Sequence, residues 1–252
     1  MDEAELKARR ASSFGAAARE YAEHRPSYPD AAISWALEPV RTRYPLRVLD
    51  LGAGTGRVTE ALQRAEVDVI AVEPDPEMRA AMLERVFGVA VLAGSAEDIP
   101  LPDARVDAVV VGQAFHWFDH AVALPEIARV LKPGGPLVLM WNGADERVEW
   151  MRTLGERMYD PSTEVPVEPT QPTVDHPAFP KLEWATFDHA QRRTADSLIA
   201  TFGTYSAYLV LPEDERQRRF DELRAYLAGL PETASGEFDL PLRTHVGRAI
   251  RR

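Results

Sequence analysis

The chain's 252 residues are enough for one large α/β domain or for a domain carrying a cap, and its 45% hydrophobic content is ordinary for a soluble globule. A formal net charge of −11, with a pI near 5.1, argues against a nucleic-acid backbone or an anionic membrane as the main partner. There is no cysteine, hence no disulfide framework, cysteine zinc site or thiol nucleophile; the acidic start Met1-Asp-Glu-Ala-Glu has no apolar signal core, and no apolar run is long enough to span a bilayer, so a cytoplasmic protein is expected.

Residues 1–20 read as a polar helix rich in Ala, Glu and Arg. The segment after it gathers Tyr21, Arg25 and Tyr28, with Phe14 upstream, and its prolines Pro26 and Pro29 force extended backbone. It reads either as an arm docked on a sheet edge or as a lid over a ligand. A helix over 31–40 follows, with Ile33, Trp35, Ala36 and Leu37 as its apolar residues.

Residues 46–59 are the centre of the chain. Val48, Leu49 and Leu51 form the short apolar run of a strand buried on both faces. Gly52, Gly54 and Gly56 then alternate with Ala53 and Thr55, which allows a tight turn and a close ligand approach. Val58, Ala61, Leu62 and Ala65 follow at helical spacing. Strand, glycine turn and helix open a doubly wound sheet, in which ligands bind at the carboxyl ends of the strands.

A second strand over 67–72 ends at Glu73, whose carboxylate can accept two hydrogen bonds from a ribose diol. Asp75 and Pro76 are suited to the N-cap and first position of the next helix, and Met78, Ala81, Met82 and Val86 to its buried stripe. A short third strand over 89–93 runs into the acidic turn 94–103, with Ser95, Ala96, Glu97 and Asp98. The fourth strand, 105–112, ends at Gln113-Ala-Phe-His-Trp-Phe118, where polar and aromatic groups suit a small organic substrate or a cation. Phe115 and Trp117 can equally be core, and His116 is either a general base or an ordinary hydrogen-bonded histidine. Asp119 caps a helix that Lys132-Pro-Gly-Gly135 stops, and the fifth strand covers 137–141.

Residues 142–160 read as helical. Six prolines make 161–180 a loop or flap. A sixth strand covers 182–187. Leu198, Phe202, Tyr205 and Leu209 line one helix, and Phe220, Leu223 and Leu227 another. The chain closes on 238–250, whose alternation from Leu240 predicts an antiparallel edge strand.

The pattern Asp50-x-Gly52-x-Gly54-x-Gly56 brings the third glycine one residue earlier than the dinucleotide fingerprint, and its leading acid disfavours a pyrophosphate. The stretch resembles motif I of the class I S-adenosylmethionine-dependent methyltransferases. Three other stretches are also similar to that family: the Tyr21–Pro29 opening, Gln113-Ala-Phe-His-Trp-Phe118 (close to the trans-aconitate-like, type 11 branch), and Glu126–Gly135. The resemblance is close over residues 14–141 and holds in outline beyond.

The resemblance implies an α/β, doubly wound, seven-stranded, mostly parallel Rossmann-like sheet with an antiparallel last strand and a helical cap. It implies one domain over 1–252: an arm or lid at 1–40, a cofactor core at 41–141, a flap and cap at 142–236 and the last strand at 237–252. The implied cofactor is S-adenosyl-L-methionine, held by Asp50, Gly52, Ala53, Gly54 and Gly56, by Glu73 with Pro74 at the ribose, and by Ser95, Ala96 and Glu97 at the adenine, Asp98 being the alternative one register on. Gln113 and Phe115 would border the reacting edge, Tyr21 and Arg25 would close the pocket, Trp117 and Tyr205 would meet the acceptor, and His116 is the candidate catalytic base. The expected acceptor is a small molecule with an oxygen, nitrogen or carbon nucleophile, such as a carboxylate; nucleic acid, membrane and metal are not expected, and the chain is a monomer or homodimer. A non-catalytic S-adenosylmethionine-binding protein and an NAD-dependent oxidoreductase are the alternatives.

Overall fold

The computed structural model describes residues 25–158, 172–205, 208 and 211–252. Seven strands form one sheet in the order β3-β2-β1-β4-β5-β7-β6, six of them parallel and β7 antiparallel. The described residues divide into two compact units: 27–142 with 172–187 and 244–252, and 25–26 with 143–158 and the described part of 188–243.

The first unit opens with α1 (Asp30–Leu37) and then β1 (Arg47–Leu51), α2 (Arg57–Arg64), β2 (Asp68–Val72), α3 (Pro76–Leu83), β3 (Ala90–Leu92), β4 (Ala108–Gly112), α4 (His120–Val130) and the start of β5 (Pro136–Ala144). β1, β2, β4 and β5 are mostly apolar, with both faces covered. On one face Leu49, Leu51, Val109, Val111, Leu137 and Leu139 pack with α4 residues Leu124 and Ile127. On the other Val48, Val110, Val138 and Met140 pack with α1 and α2 residues, among them Ile33, Ala61 and Leu62. The expected arm residue Tyr28 is part of that second cluster, buried, and its hydroxyl lies close enough to Gly112 that a Cβ there would come within 2.9 Å of it.

The helix boundaries follow the local chemistry. Asp75 accepts from the amides of Glu77 and Met78 at 2.8 and 2.9 Å, ahead of Pro76 at the first helical position. Asp119 accepts from the amide of Ala121 at 3.1 Å. Met78, Met82 and Val86 are buried core, as the periodicity predicts.

At the amino-terminal ends of β1, β4 and β5 the buried Asp107 ties the layers together. It accepts from the main-chain amide of Arg47 at 3.0 Å, from Arg43 at 3.1 Å and from Lys132 at 2.9 Å. Burial pushes its pKa up, but these three donors outweigh that and hold it below the usual carboxylate range. A cleft of about 610 Å³ lies beside it, lined by Arg43, Tyr44, Arg47 and Lys132 among others. This cleft is at the opposite end of the strands from the glycine turn, and its cations are already engaged by carboxylates.

The second unit holds α5 (Glu149–Met158), α6 (Ala195–Gly203) and α7 (Glu213–Ala228). Trp150, Leu154, Leu198, Phe202, Leu223 and Leu227 form its core with Phe238 and Leu240. β6 (Leu182–Arg193) and β7 (Phe238–Ile250) contribute residues to both units, as β5 does.

Several boundaries depart from expectation. β5 runs on to Ala144, so the helix expected from residue 142 begins only at Glu149. β6 is twelve residues long, double the expected span, because exposed residues at every second position, the charged Asp188 and Arg192 with Ala190 between them, hide its continuation. β7 is antiparallel but does not form the edge: it lies between β5 and β6, and β6 is the edge. Its alternating burial fits an interior place, with Leu240, Leu242, Thr244 and Val246 all buried. The expected first helix and most of the proline-rich flap fall outside the described residues.

Candidate functional site

Because β1, β2, β3 and β4 are mutually parallel, their carboxyl ends share one edge of the sheet. Chain order reverses between β1 and β4, the switch point at which doubly wound sheets bind ligands. Four segments meet there: the glycine turn after Leu51, Glu73 after β2, Ser95–Glu97 after β3, and Gln113–Phe118 after β4.

The glycine turn is anchored by two amides, Gly52 N–H and Ala53 N–H, which both donate to the Val72 carbonyl at 2.9 and 3.1 Å. Gly52 has φ +68°, and a Cβ on it would stand 2.8 Å from that of Ala114, so the turn after β1 touches the turn after β4. Gly54 has φ +56° and open space where its Cβ would be. Gly56, at φ +89°, is the N-cap of α2.

Glu73 is buried at the end of β2. Its Oε2 accepts from the Gly54 amide at 2.9 Å and its Oε1 from the Asp75 amide at 3.0 Å. Each oxygen keeps lone-pair capacity for a further donor. Burial pushes its pKa above the usual range, and the two amides counter that only in part. Pro74 beside it is exposed, and Arg79 donates to the main-chain carbonyls of Glu73 and Pro74 at 2.7 Å rather than to the carboxylate.

Asp50 lies within the core under the turn. It is 0% exposed, so the structure gives it no direct face toward a ligand, in contrast to the contact expected from its place in the motif. Its Oδ2 accepts from the Thr59 hydroxyl at 2.5 Å, and its Oδ1 has no hydrogen-bond partner. Burial raises its pKa to about 7, Thr59 opposes the rise, and the charge of Glu73 adds to it. The folded protein therefore holds this proton more tightly than the unfolded chain. The associated stability is complete below the ordinary pKa of 3.8 and is lost as pH rises through about 7. Asp50→Asn is expected to flatten this dependence and to raise the thermal midpoint at alkaline pH by roughly 5–10 °C relative to the parent protein. Thermal unfolding followed from about pH 5 to 9 measures it; parallel curves would refute the assignment.

After β3, Ala96 is buried, the Ser95 hydroxyl accepts from the Glu97 amide at 3.2 Å, and Glu97 accepts from the amide of Asp119 at 2.9 Å. Asp98, the alternative by one register, is exposed. After β4, Gln113 takes a positive φ of 55°. Phe115 is 0% exposed: it is core, stacked on His120 at 4.2 Å and edge-on to Phe118 at 5.9 Å, so its ring supports the turn from behind. His116 is exposed, its ring 4.7 Å from that of the half-buried Trp117. Arg25 and Tyr205 belong to the other unit, where they meet each other: the guanidinium lies 4.4 Å over the Tyr205 ring and donates to the Thr204 hydroxyl at 3.1 Å. Tyr21 lies outside the described residues.

Sequence reasoning missed Thr59. A hydroxyl on the buried stripe of α2, nine residues after a strand-end acid, was the available signal.

The edge suits a cationic nucleoside. It offers a carboxylate anchored at both oxygens and an open face at Gly54; within and beneath the turn lie two buried oxygens, Asp50 Oδ1 and Thr55 Oγ1, without a protein partner. Arg57, at the start of α2, is paired with Glu60 at 3.2 Å. A diphosphate here would meet the Glu73 carboxylate. Among the described residues no group of three or more His, Asp or Glu side chains could hold a metal ion, and no helix is long and apolar enough to cross a membrane.

Comparisons with known proteins agree on one class of protein. A family described as a methyltransferase domain matches residues 49–139, from β1 into β5. An uncharacterized methyltransferase of Mycobacterium tuberculosis is 43% identical over 244 residues, covering 94% of this chain and 95% of that protein. An uncharacterized methyltransferase-like protein of Schizosaccharomyces pombe is 33% identical over 217 residues, 84% of each chain. Among solved structures, one described as a type II methyltransferase from Anaeromyxobacter dehalogenans superposes with a TM-score of 0.69 at 28% identity, covering 90% of this chain and 97% of the other. The chain therefore belongs to the class I methyltransferases, and it is an enzyme that uses S-adenosylmethionine.

Proposed function

We propose that the protein methylates a small molecule at the carboxyl edge of β1–β4. The observation that carries this reading is Glu73, a buried carboxylate fixed by the amides of Gly54 and Asp75 beside an open glycine turn. In the proposal Glu73, flanked by Pro74, accepts the ribose hydroxyls, Ser95, Ala96 and Glu97 border the adenine, and Gly52, Ala53, Gly54 and Gly56 let the methionine part approach the backbone. The bound sulfonium supplies an activated methyl group whose leaving group is a neutral thioether.

What remains for this chain's side chains is to orient the acceptor, exclude water and, for a protonated nucleophile, hold a proton. Gln113 and Trp117, at the end of β4, are the half-buried polar and aromatic groups suited to orienting it, with Phe115 as their backing. In the proposal His116 takes that proton; a carboxylate acceptor needs no such base. The net charge of −11 favours a small acceptor over RNA or DNA.

The test is transfer of a labelled methyl group from S-adenosylmethionine to a panel of small carboxylic acids, phenols and amines, with bulk RNA and DNA alongside. Label on a small molecule is expected. Label on nucleic acid alone, with steep salt dependence, would overturn the reading.

A further inference from the structure

The pair Asp50–Thr59 is buried beneath the glycine turn, apart from the ligand-facing residues. Asp50 is the fourth residue of β1, and Thr59 lies in the first turn of α2. Their 2.5 Å hydrogen bond closes the base of the glycine turn, which leaves β1 at Leu51 and enters α2 at Arg57. Both residues are 0% exposed. A link of this kind fixes where the turn starts and where its helix begins.

The surroundings also determine the charge on Asp50. Thr59 supplies the interactions that favour the ionised form, through its hydroxyl and its main-chain amide. Burial opposes them, as does Glu73 at the end of β2. From the neighbouring strands the register partners of Asp50 are Ala71 of β2 and Val110 of β4, both uncharged. From α2, the charged residues are Arg57 and Glu60, paired with each other, and Arg64, paired with Asp30 at 3.0 Å; Glu60 also engages Arg85 at 2.7 Å. From α3 and the residues after it, uncharged Met82 and Val86 lie against Gly56, and Arg79 is engaged with main-chain carbonyls. No cation among the described residues is paired with Asp50, while its Oδ1 remains without a hydrogen-bond partner.

We propose that Thr59 is a positioning residue of the cofactor seat: its hydroxyl favours the charged form of the Asp50 carboxylate beneath the glycine turn against the opposing effect of burial, and binding of the cationic cofactor drives off the proton that Asp50 still holds, into solvent. The inference rests on the assignment of the cofactor to this turn. The physical reason is reciprocity: a cation that favours charged Asp50 binds more tightly when Asp50 is already charged. Thr59 sets the pH at which that happens.

The experiment is calorimetric titration of the full chain with S-adenosylmethionine between about pH 6 and 8, in two buffers of different ionisation enthalpy. Wild type is expected to bind about tenfold more tightly at the upper pH and to release protons on binding. Thr59→Val, which keeps the shape and loses the hydroxyl, is expected to weaken binding about tenfold at neutral pH and to move the rise to higher pH; Thr59→Ser is expected to restore the wild-type profile, and Asp50→Asn to give a flat one.

A wild-type protein that binds with no proton exchange overturns the proposal, whether or not the valine variant folds. So does a valine variant whose profile matches the wild type. If wild type fails to bind, or Glu73→Ala binds as well as wild type, the assignment of the cofactor to this turn has failed instead.

Discussion

Glu73→Ala is expected to weaken S-adenosylmethionine binding about 100-fold, with little loss of fold. Hydrogen bonds to a charged group each contribute ~1.5–3 kcal/mol, and losing about 3 kcal/mol corresponds to a factor of about 100. The loss has two sources. A ribose diol would lose its acceptor, and the amides of Gly54 and Asp75 lose theirs, at 2.9 and 3.0 Å, so the turn is also less well held. Glu73→Gln separates the two. It keeps one carbonyl oxygen for an amide but presents an NH₂ where the other acceptor stood, and should lie between the parent and the alanine variant. Calorimetry on all three proteins measures the effect. Equal affinity across the series would remove the ribose from this position and with it the main support for the site.

Alanine at Gly52 and at Gly54 is expected to fail in different ways. Both glycines have positive φ, +68° and +56°, where an L side chain adds roughly 1–2 kcal/mol of strain. At Gly52 the new methyl would also lie 2.8 Å from the Cβ of Ala114 and 3.3 Å from the Phe118 ring. Ala114 has no rotamer to move, so the β4 turn itself must shift, which adds about 1–3 kcal/mol. Gly52→Ala should therefore lose roughly 2–4 kcal/mol in urea unfolding. At Gly54 nothing lies within 4 Å of the added atom, so the protein should lose only the backbone strain, about 1 kcal/mol. The methyl would nonetheless stand on the open face of the turn, and affinity for S-adenosylmethionine should fall tenfold or more. Wild-type affinity in Gly54→Ala would mean that nothing approaches this backbone.

The cofactor edge is legible in the sequence because its determinants are local. A strand covered on both faces is an apolar run, so Val48–Leu51 and Val109–Val111 stand out, and a turn with positive φ at three nearby positions calls for glycine at each. Helix starts are equally visible, since Asp75 and Asp119 cap the helices that follow them in sequence. Strand order is not legible in the same way. The alternation of β7 reveals a strand but says nothing about which neighbours pair with it, so an interior strand reads as an edge. In β6, exposed charged residues such as Asp188 and Arg192 mask a continuous pleat as far as Arg193.

Among the site residues, the departure from expectation lies in burial rather than identity. Asp50 and Phe115 carry the residue types of a ligand contact, yet both are sealed at 0% exposure and act from beneath or behind. Sequence alone cannot tell an acid that faces a ligand from one that faces a threonine on the next helix. Arg25 and Tyr205 are far apart in the sequence, and only the tertiary fold brings the guanidinium over the ring.

The place of β7 has a consequence for how the chain is made. β6 leaves the ribosome before β7, yet β7 separates it from β5 in the finished sheet. Until Phe238–Ile250 has emerged, β5 presents a bare row of amides and carbonyls and β6 has no strand to join. The nascent polypeptide must hold this gap open for some forty-five residues of synthesis, from the end of β6 at Arg193 to the start of β7 at Phe238. Pairing of that range is slow and leaves hydrophobic strand edges exposed meanwhile, which makes the late stage of folding the point at which a chaperone has most to protect.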